Sequence, residues 1–138
     1  MLPRELRLKE RHRFQAVYRR GRFWSNPEMT VHVLSRPESG TQFGFVVGKK
    51  VGGAVQRNRV RRLLREACRA LVPGVRAGVD VVIVGRPAAT GAALAQLKDG
   101  MRALFQRAGI WTETVAAAPP QRAPAPSGEP AEQGDLAS

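Results

Sequence analysis

Apolar residues recur along this chain with two different periods, and the changes between them mark out its elements. Over residues 9–20 (KERHRFQAVYRR) Phe14, Val17 and Tyr18 share one face of a short helix, which Gly21 closes. From 22 to 35 the spacing shifts to alternation: Met29, Val31 and Val33 line one side of a strand, and Asn26-Pro27 sets a turn ahead of it. Residues 36–40 (RPESG) read as a hairpin-like loop and 41–48 (TQFGFVVG) as the next strand, with Gly44 where backbone or ligand can approach closely. A basic, glycine-bearing connection (Lys49, Lys50, Val51, Gly52, Gly53) leads into a longer helix. Its Val60, Leu63, Leu64, Ala67 and Leu71 fall at i, i+3, i+4, i+7 and i+11, and it ends near the Val-Pro-Gly of 72–74. Residues 79–85 (VDVVIVG) are apolar without alternation, as expected of a strand covered on both faces. A last helix, 91–108, carries Leu94, Leu97, Met101, Leu104 and Phe105 as its buried stripe and stops at Gly109.

The order α-β-β-β-α-β-α predicts a single-domain α+β fold, a two-layer sandwich of helices on a mixed four-stranded sheet. We place that domain at 1–111. Residues 112–138 are rich in Ala, Pro, Gln and Gly without periodicity, and are expected to form a disordered tail.

Charge changes the picture most in the longer helix. Between Arg57 and Arg69 (RNRVRRLLREACR) six arginines stand in thirteen residues against one acid, Glu66. At about 100° per residue, Arg57, Asn58, Arg61, Arg62, Arg65 and Arg69 fill the arc beside the apolar stripe, with Arg59 farther round. Arg57, Arg61 and Arg65 follow one another at i, i+4 and repel, whereas a merely solvated helix mixes its signs. A polyanion offsets that repulsion. The whole chain agrees: 23 Lys+Arg against 11 Asp+Glu give +12 and a pI near 11.6. Residues 1–111 hold 22 of those bases and 7 of the acids. Arg outnumbers Lys 19 to 4, which suits forked contacts to phosphate. Such charge points to nucleic acid or an anionic membrane surface. No apolar run is long enough for a span or a signal core, so no membrane partner and a cytoplasmic location are expected.

Protein-borne chemistry is poorly provided for. Cys68 is alone and lies near the apolar side of the Arg helix, where a small packing residue fits. His12 and His32 belong to no catalytic or metal motif. The seven acids of the domain (Glu5, Glu10, Glu28, Glu38, Glu66, Asp80, Asp99) are scattered without metal-ligand spacing, which argues against a free-standing nuclease. Asp80, inside the apolar strand, calls for an arginine partner rather than a catalytic role.

The stretch from Gly44 to Ala67, GFVVGKKVGGAVQRNRVRRLLREA, resembles the signature of the bacterial ribonuclease P protein component: a strand, a Lys-Lys-x-Gly connection, an Ala-Val pair, then Arg-Asn-Arg and Arg-Glu. Leu8-Lys9, the Phe14-Gln-x-Val-Tyr18-x-x-Gly21 run and Arg86-Pro87-Ala88 are similar to the family's first helix and last strand, so the resemblance spans about 6–107. It implies a left-handed β-α-β crossover, as in a ribosomal-protein domain of the same fold. It also implies a division of labour in which a catalytic RNA cleaves precursor tRNA and the protein binds that RNA and the 5′ leader. By resemblance, Lys49, Lys50, Arg57, Asn58, Arg59, Arg61, Arg62 and Arg65 face the catalytic RNA. Phe14, Tyr18 and His32 line the leader cleft, His32 replacing an aromatic found there in relatives. Val46 and Gly48 stand where relatives often carry Ser. Mg2+ is expected to be bound mainly by RNA, with Asn58 as a possible contributor, and no obligate protein partner is implied. From the residues alone, i, i+4 aromatics on a short helix also suit a core. A ribosomal or RNA-packaging protein explains the charge too, though not the ordered motif set.

Overall fold

The computed structural model describes residues 6–37 and 40–112, so the expected tail lies, apart from Thr112, outside the described residues. Its elements are α1 (Arg11–Arg20), β1 (Arg22–Ser25), β2 (Met29–Ser35), β3 (Gln42–Val47), α2 (Ala54–Leu71), β4 (Val79–Gly85) and α3 (Leu94–Ala108), with 3-10 turns at Lys49–Val51, Val72–Gly74 and Pro87–Gly91. This is the predicted order.

The strand without alternation takes the interior of the sheet. The strands lie in the order β1-β2-β4-β3, and β4 is buried along its whole length. It runs antiparallel to β2 and parallel to β3, with α2 making the crossover. β3 is thus an outer strand, and the N-terminal segment covers its edge: Arg7 pairs beside Phe43, and the Leu8 amide donates to the Phe43 carbonyl at 2.7 Å.

Alternation then divides the side chains of each strand between two cores. Val31, Phe43, Phe45, Val81 and Ile83 meet Val60, Leu64 and Ala67 of α2 and Leu97, Met101 and Phe105 of α3. On the other face Val46, Val82 and Val84 meet Leu8 and the Phe14, Val17 and Tyr18 of α1. The two-layer expectation therefore describes α2 and α3 on the sheet, and α1 adds a partial third layer. An apolar strand such as β4 needs cover on both sides, and α1 supplies the second.

Two helix boundaries move. α1 starts at Arg11 rather than residue 9. α3 starts at Leu94 rather than 91, because the Pro87 turn and extended Ala92 and Ala93 intervene, and Leu94, in the opening turn, is 42% exposed instead of buried. At its far end Gly109 adopts φ 78° and its amide reaches the carbonyls of Phe105 and Gln106, a left-handed cap that glycine accepts without strain.

One charge sits inside this framework. Asp80 of β4 is 0% exposed. Arg13 of α1 donates to it through Nη2 at 2.7 and 2.9 Å and through Nε at 3.2 Å. Arg36, just past β2, approaches the same carboxylate at 3.2 Å. The arginine partner expected for Asp80 is thus a pair of them. Removing one member of a buried ion pair leaves the other desolvated without compensation, at about 3–5 kcal/mol. Asp80→Ala should lower the unfolding free energy by about that amount in urea titration. A loss under about 1 kcal/mol would show that the cluster does not hold α1 to the sheet.

Candidate nucleic-acid interface

α2 buries Val60, Leu64, Ala67, Cys68 and Leu71 and leaves Leu63 half-buried against the same core, as its periodicity requires. Its cations are thereby turned outward: Arg59, Arg62, Arg65 and Arg69 are exposed, Arg57 and Arg61 half-exposed. Lys49 and Lys50 are exposed on the 3-10 turn before the helix, next to its electropositive N-terminal end. The eight residues expected to face RNA thus lie on one helix and its entry turn, each at least partly exposed.

Their neighbours assign them different tasks. Arg61 donates to Asn58 Oδ1 at 2.8 Å, so the amide oxygen steadies a guanidinium. Arg59 donates to the Thr90 carbonyl at 3.1 Å and ties α2 to the turn after β4. Arg65 lies over the Phe45 ring at 6.0 Å. Partial burial, then the charges of Arg61 and Arg7, lower the pKa of Arg65. Glu66, the only acid in the helix, is engaged by Arg69 at 3.2 Å. The arginine surface keeps its positive excess.

The other face of the sheet carries the second set of expected residues. Phe23, His32, Val82 and Gly44 are register partners, a row running across all four strands. α1 lies over that row. A side chain at Gly44 would collide with the Phe14 ring, which fills the space the glycine leaves. Phe14 is 3% and Tyr18 7% exposed, so the two aromatics expected to offer open stacking faces are core residues in the free protein. Apolar area and the Gly44 gap outweigh exposure there. Tyr18 meets His32 edge-on at 4.9 Å, and His32 lies 5.5 Å from the Phe23 ring, tilted by 31°. Beyond the cover of α1 the floor continues as half-exposed Phe23, Ser25 and Thr30, with His32 half-buried between Tyr18 and Phe23. Phe23 and the two hydroxyls went unremarked in the sequence, although a buried Trp24 on a strand puts Phe23 on the opposite face.

The remaining candidates fall into place. His12 is exposed, 3.7 Å from Glu10, while its neighbour Arg13 turns inward to Asp80. Trp24 is core, Trp111 packs against that core, and Cys68 is fully buried, as expected of a packing residue. Burial pushes the Cys68 thiol well up, away from reactive thiolate. Val46, on the face covered by α1, is buried too. Among the described residues no three His, Cys, Asp or Glu side chains gather to hold a metal ion. Asn58, with its oxygen on a guanidinium and cations around it, does not fit a protein-held Mg2+.

The His32 imidazole is held down to about 4 by burial, from an ordinary 6.5. As pH falls the unfolded chain takes this proton first, so stability is intact above pH 6.5 and declines towards pH 4. Thermal midpoints measured across that window should fall, and His32→Phe should flatten the fall. Equal slopes for both proteins would locate the pH dependence elsewhere.

Comparison with known proteins identifies the family and the fold. The family model described as Ribonuclease P matches residues 2–109. The chain is 43% identical over 110 residues to the ribonuclease P protein component of Symbiobacterium thermophilum, covering 79% of this chain and 96% of that one. It is 37% identical over 119 residues to that of Roseiflexus castenholzii, covering 86% and 98%. In fold it is similar to the RNase P protein of Staphylococcus aureus (TM-score 0.69, 24% identity, 77% of this chain and 97% of that chain). It is similar also to that of Thermotoga maritima (TM-score 0.66, 24% identity, 73% and 96%). With the arginine surface in place and the family match running from residue 2 through α3, the chain belongs to the ribonuclease P protein family.

Proposed function

We propose that this chain binds the catalytic RNA of ribonuclease P through α2 and its entry turn, and holds the 5′ leader of precursor tRNA on the sheet face beside α1. The carrying observation is the one-sided cationic surface of α2, set on a helix whose other side is locked in the core. Guanidinium groups fork onto phosphate oxygens and stack on bases, and their fixed helical spacing sets the register of a structured RNA against the protein. Arg57, Arg61, Arg62 and Arg65 supply the contacts with Lys49 and Lys50, Asn58 orients Arg61, and Arg59 divides its reach between the fold and the RNA.

The leader is read without a sequence code. Stacking on an aromatic face is worth about 1–3 kcal/mol per base and accepts any base. On this sheet the accessible rings are Phe23 and His32, with Ser25 and Thr30 as hydroxyl partners, while Phe14 and Tyr18 set the height of α1 above them. Cleavage chemistry belongs to the RNA and to Mg2+ held by its phosphates. Asp80, bound by two arginines, is not available as a base, and the cations of α2 lower the repulsion between RNA phosphates that metal would otherwise have to screen.

Reconstitution tests this reading. Protein, ribonuclease P RNA and precursor tRNA, combined at Mg2+ too low for RNA alone, should give cleavage at the mature 5′ end only when both components are present. Arg57→Ala/Asn58→Ala/Arg61→Ala should weaken association with the RNA at least 10-fold and leave the circular-dichroism spectrum unchanged. Tight RNA binding with no restored cleavage would instead indicate a general RNA-packaging protein.

The two faces of α1 separate in a second experiment. Phe23→Ala should weaken holoenzyme binding of leader-bearing precursor by roughly 5- to 150-fold, the range expected for one lost stack, and spare leaderless tRNA. Phe14→Ala should cost about 3–5 kcal/mol of stability and affect both substrates alike. Leader-selective loss in Phe14→Ala with stability unchanged would return that ring to the cleft.

A further inference from the structure

The two surfaces assigned to RNA lie on opposite faces of the sheet, so RNA that engages both must pass a sheet edge. The edge nearest the α2 arginines is β3. Arg65 lies over Phe45 of that strand, and the N-terminal segment runs beside it with Arg7 paired to Phe43. Where this segment turns into α1, Arg7, Lys9, Glu10, Arg13 and Gln42 line an open cleft of about 360 Å³. Among the described residues of this lining, three cations accompany one carboxylate. Arg13 is partly neutralised by Asp80, yet Arg36 shares that same carboxylate, so the cluster stays net positive. Gln42 adds an uncharged polar side chain to the lining.

We propose that this cleft is a binding site for an RNA backbone phosphate, with Arg7 and Lys9 as its principal ligands, and that it carries RNA around the β3 edge from the α2 surface to the α1 surface. The proposal rests on the reading of the chain as a ribonuclease P subunit and adds a site outside α2 and outside the leader floor. A phosphate seated near Arg7 also relieves the mutual repulsion of Arg7, Arg61 and Arg65, which already disfavours charge on Arg65. The phosphate comes either from the catalytic RNA or from the leader, and the two sources separate experimentally.

The full-length protein is titrated with ribonuclease P RNA at several salt concentrations, and the assembled holoenzyme with leader-bearing and leaderless tRNA. Arg7→Ala/Lys9→Ala should bind at least 10-fold more weakly on one of these arms, with a log–log salt slope shallower by about two. Lys9→Glu, which leaves the Arg7 strand pairing untouched, should lose affinity on the same arm. Lys98→Ala/Arg107→Ala on α3, which packs over β1 and β2 away from this edge, removes the same charge and should lose less than 3-fold. Loss with the RNA subunit assigns the phosphate to the catalytic RNA, and loss confined to the leader-bearing precursor assigns it to the leader. Unchanged binding on every arm, or an equal loss in the α3 control, overturns the site. Wild-type protein unable to bind ribonuclease P RNA would bring down the parent reading and this one together, whereas normal wild-type binding with unaffected cleft variants removes only the cleft.

Discussion

Asp80 stands in a strand otherwise made of valine, isoleucine and glycine, and its carboxylate is shielded from water by the helix above it. A charge in that position persists only with strong, well-aimed partners. Arg13 brings α1 to it and Arg36 brings the chain leaving β2, so three separate stretches are joined at one point of β4. Apolar contact alone leaves a short helix free to slide and rotate on a flat sheet. A multiply hydrogen-bonded guanidinium–carboxylate pair is directional and removes that freedom. Phe14, one residue on, then drops into the gap over Gly44, and Tyr18 one turn later meets His32. The position of the proposed leader floor follows from this clamp.

Opposite demands govern the far side of the sheet. α2 gains most of its attachment from apolar residues, with Arg59 tied to the Thr90 carbonyl and Arg65 over Phe45, which leaves its cations on the outer side of the helix. Their crowding costs some stability through self-repulsion. Glu66 offsets little of it, being paired to Arg69 near the end of the helix. A surface of this kind is stable as part of a complex with a polyanion, and the protein's charge is better understood as half of an interface than as a property of the isolated chain.

The proposed division between RNA chemistry and protein support is consistent with how charge is distributed here. The described acids either reach solvent and pair with neighbours, as half-exposed Glu66 and exposed Asp99 do, or, like Asp80, are committed to structure. Positive groups are gathered and negative ones dispersed, which suits a protein that organises phosphates and leaves bond breaking to its partner.

Local pattern carried much of this. The 3.6-residue period of Val60, Leu64, Ala67 and Leu71 fixes which side of α2 is buried, and hence that its arginines face outward, because only one rotation of the helix satisfies both. The unbroken apolar run of 79–85 likewise dictates a strand covered on both faces. The motif order from Gly44 to Ala67 was enough to suggest the family. What the sequence left open depends on contacts between distant residues. Whether Phe14 is open or buried is decided by a glycine thirty residues away in another strand. Phe23 becomes part of the floor only because register sets it opposite His32. The cleft at the β3 edge exists only because residues 7–9, α1 and Gln42 converge there. Periodicity reports which side of an element is apolar; only the tertiary structure decides what that side meets.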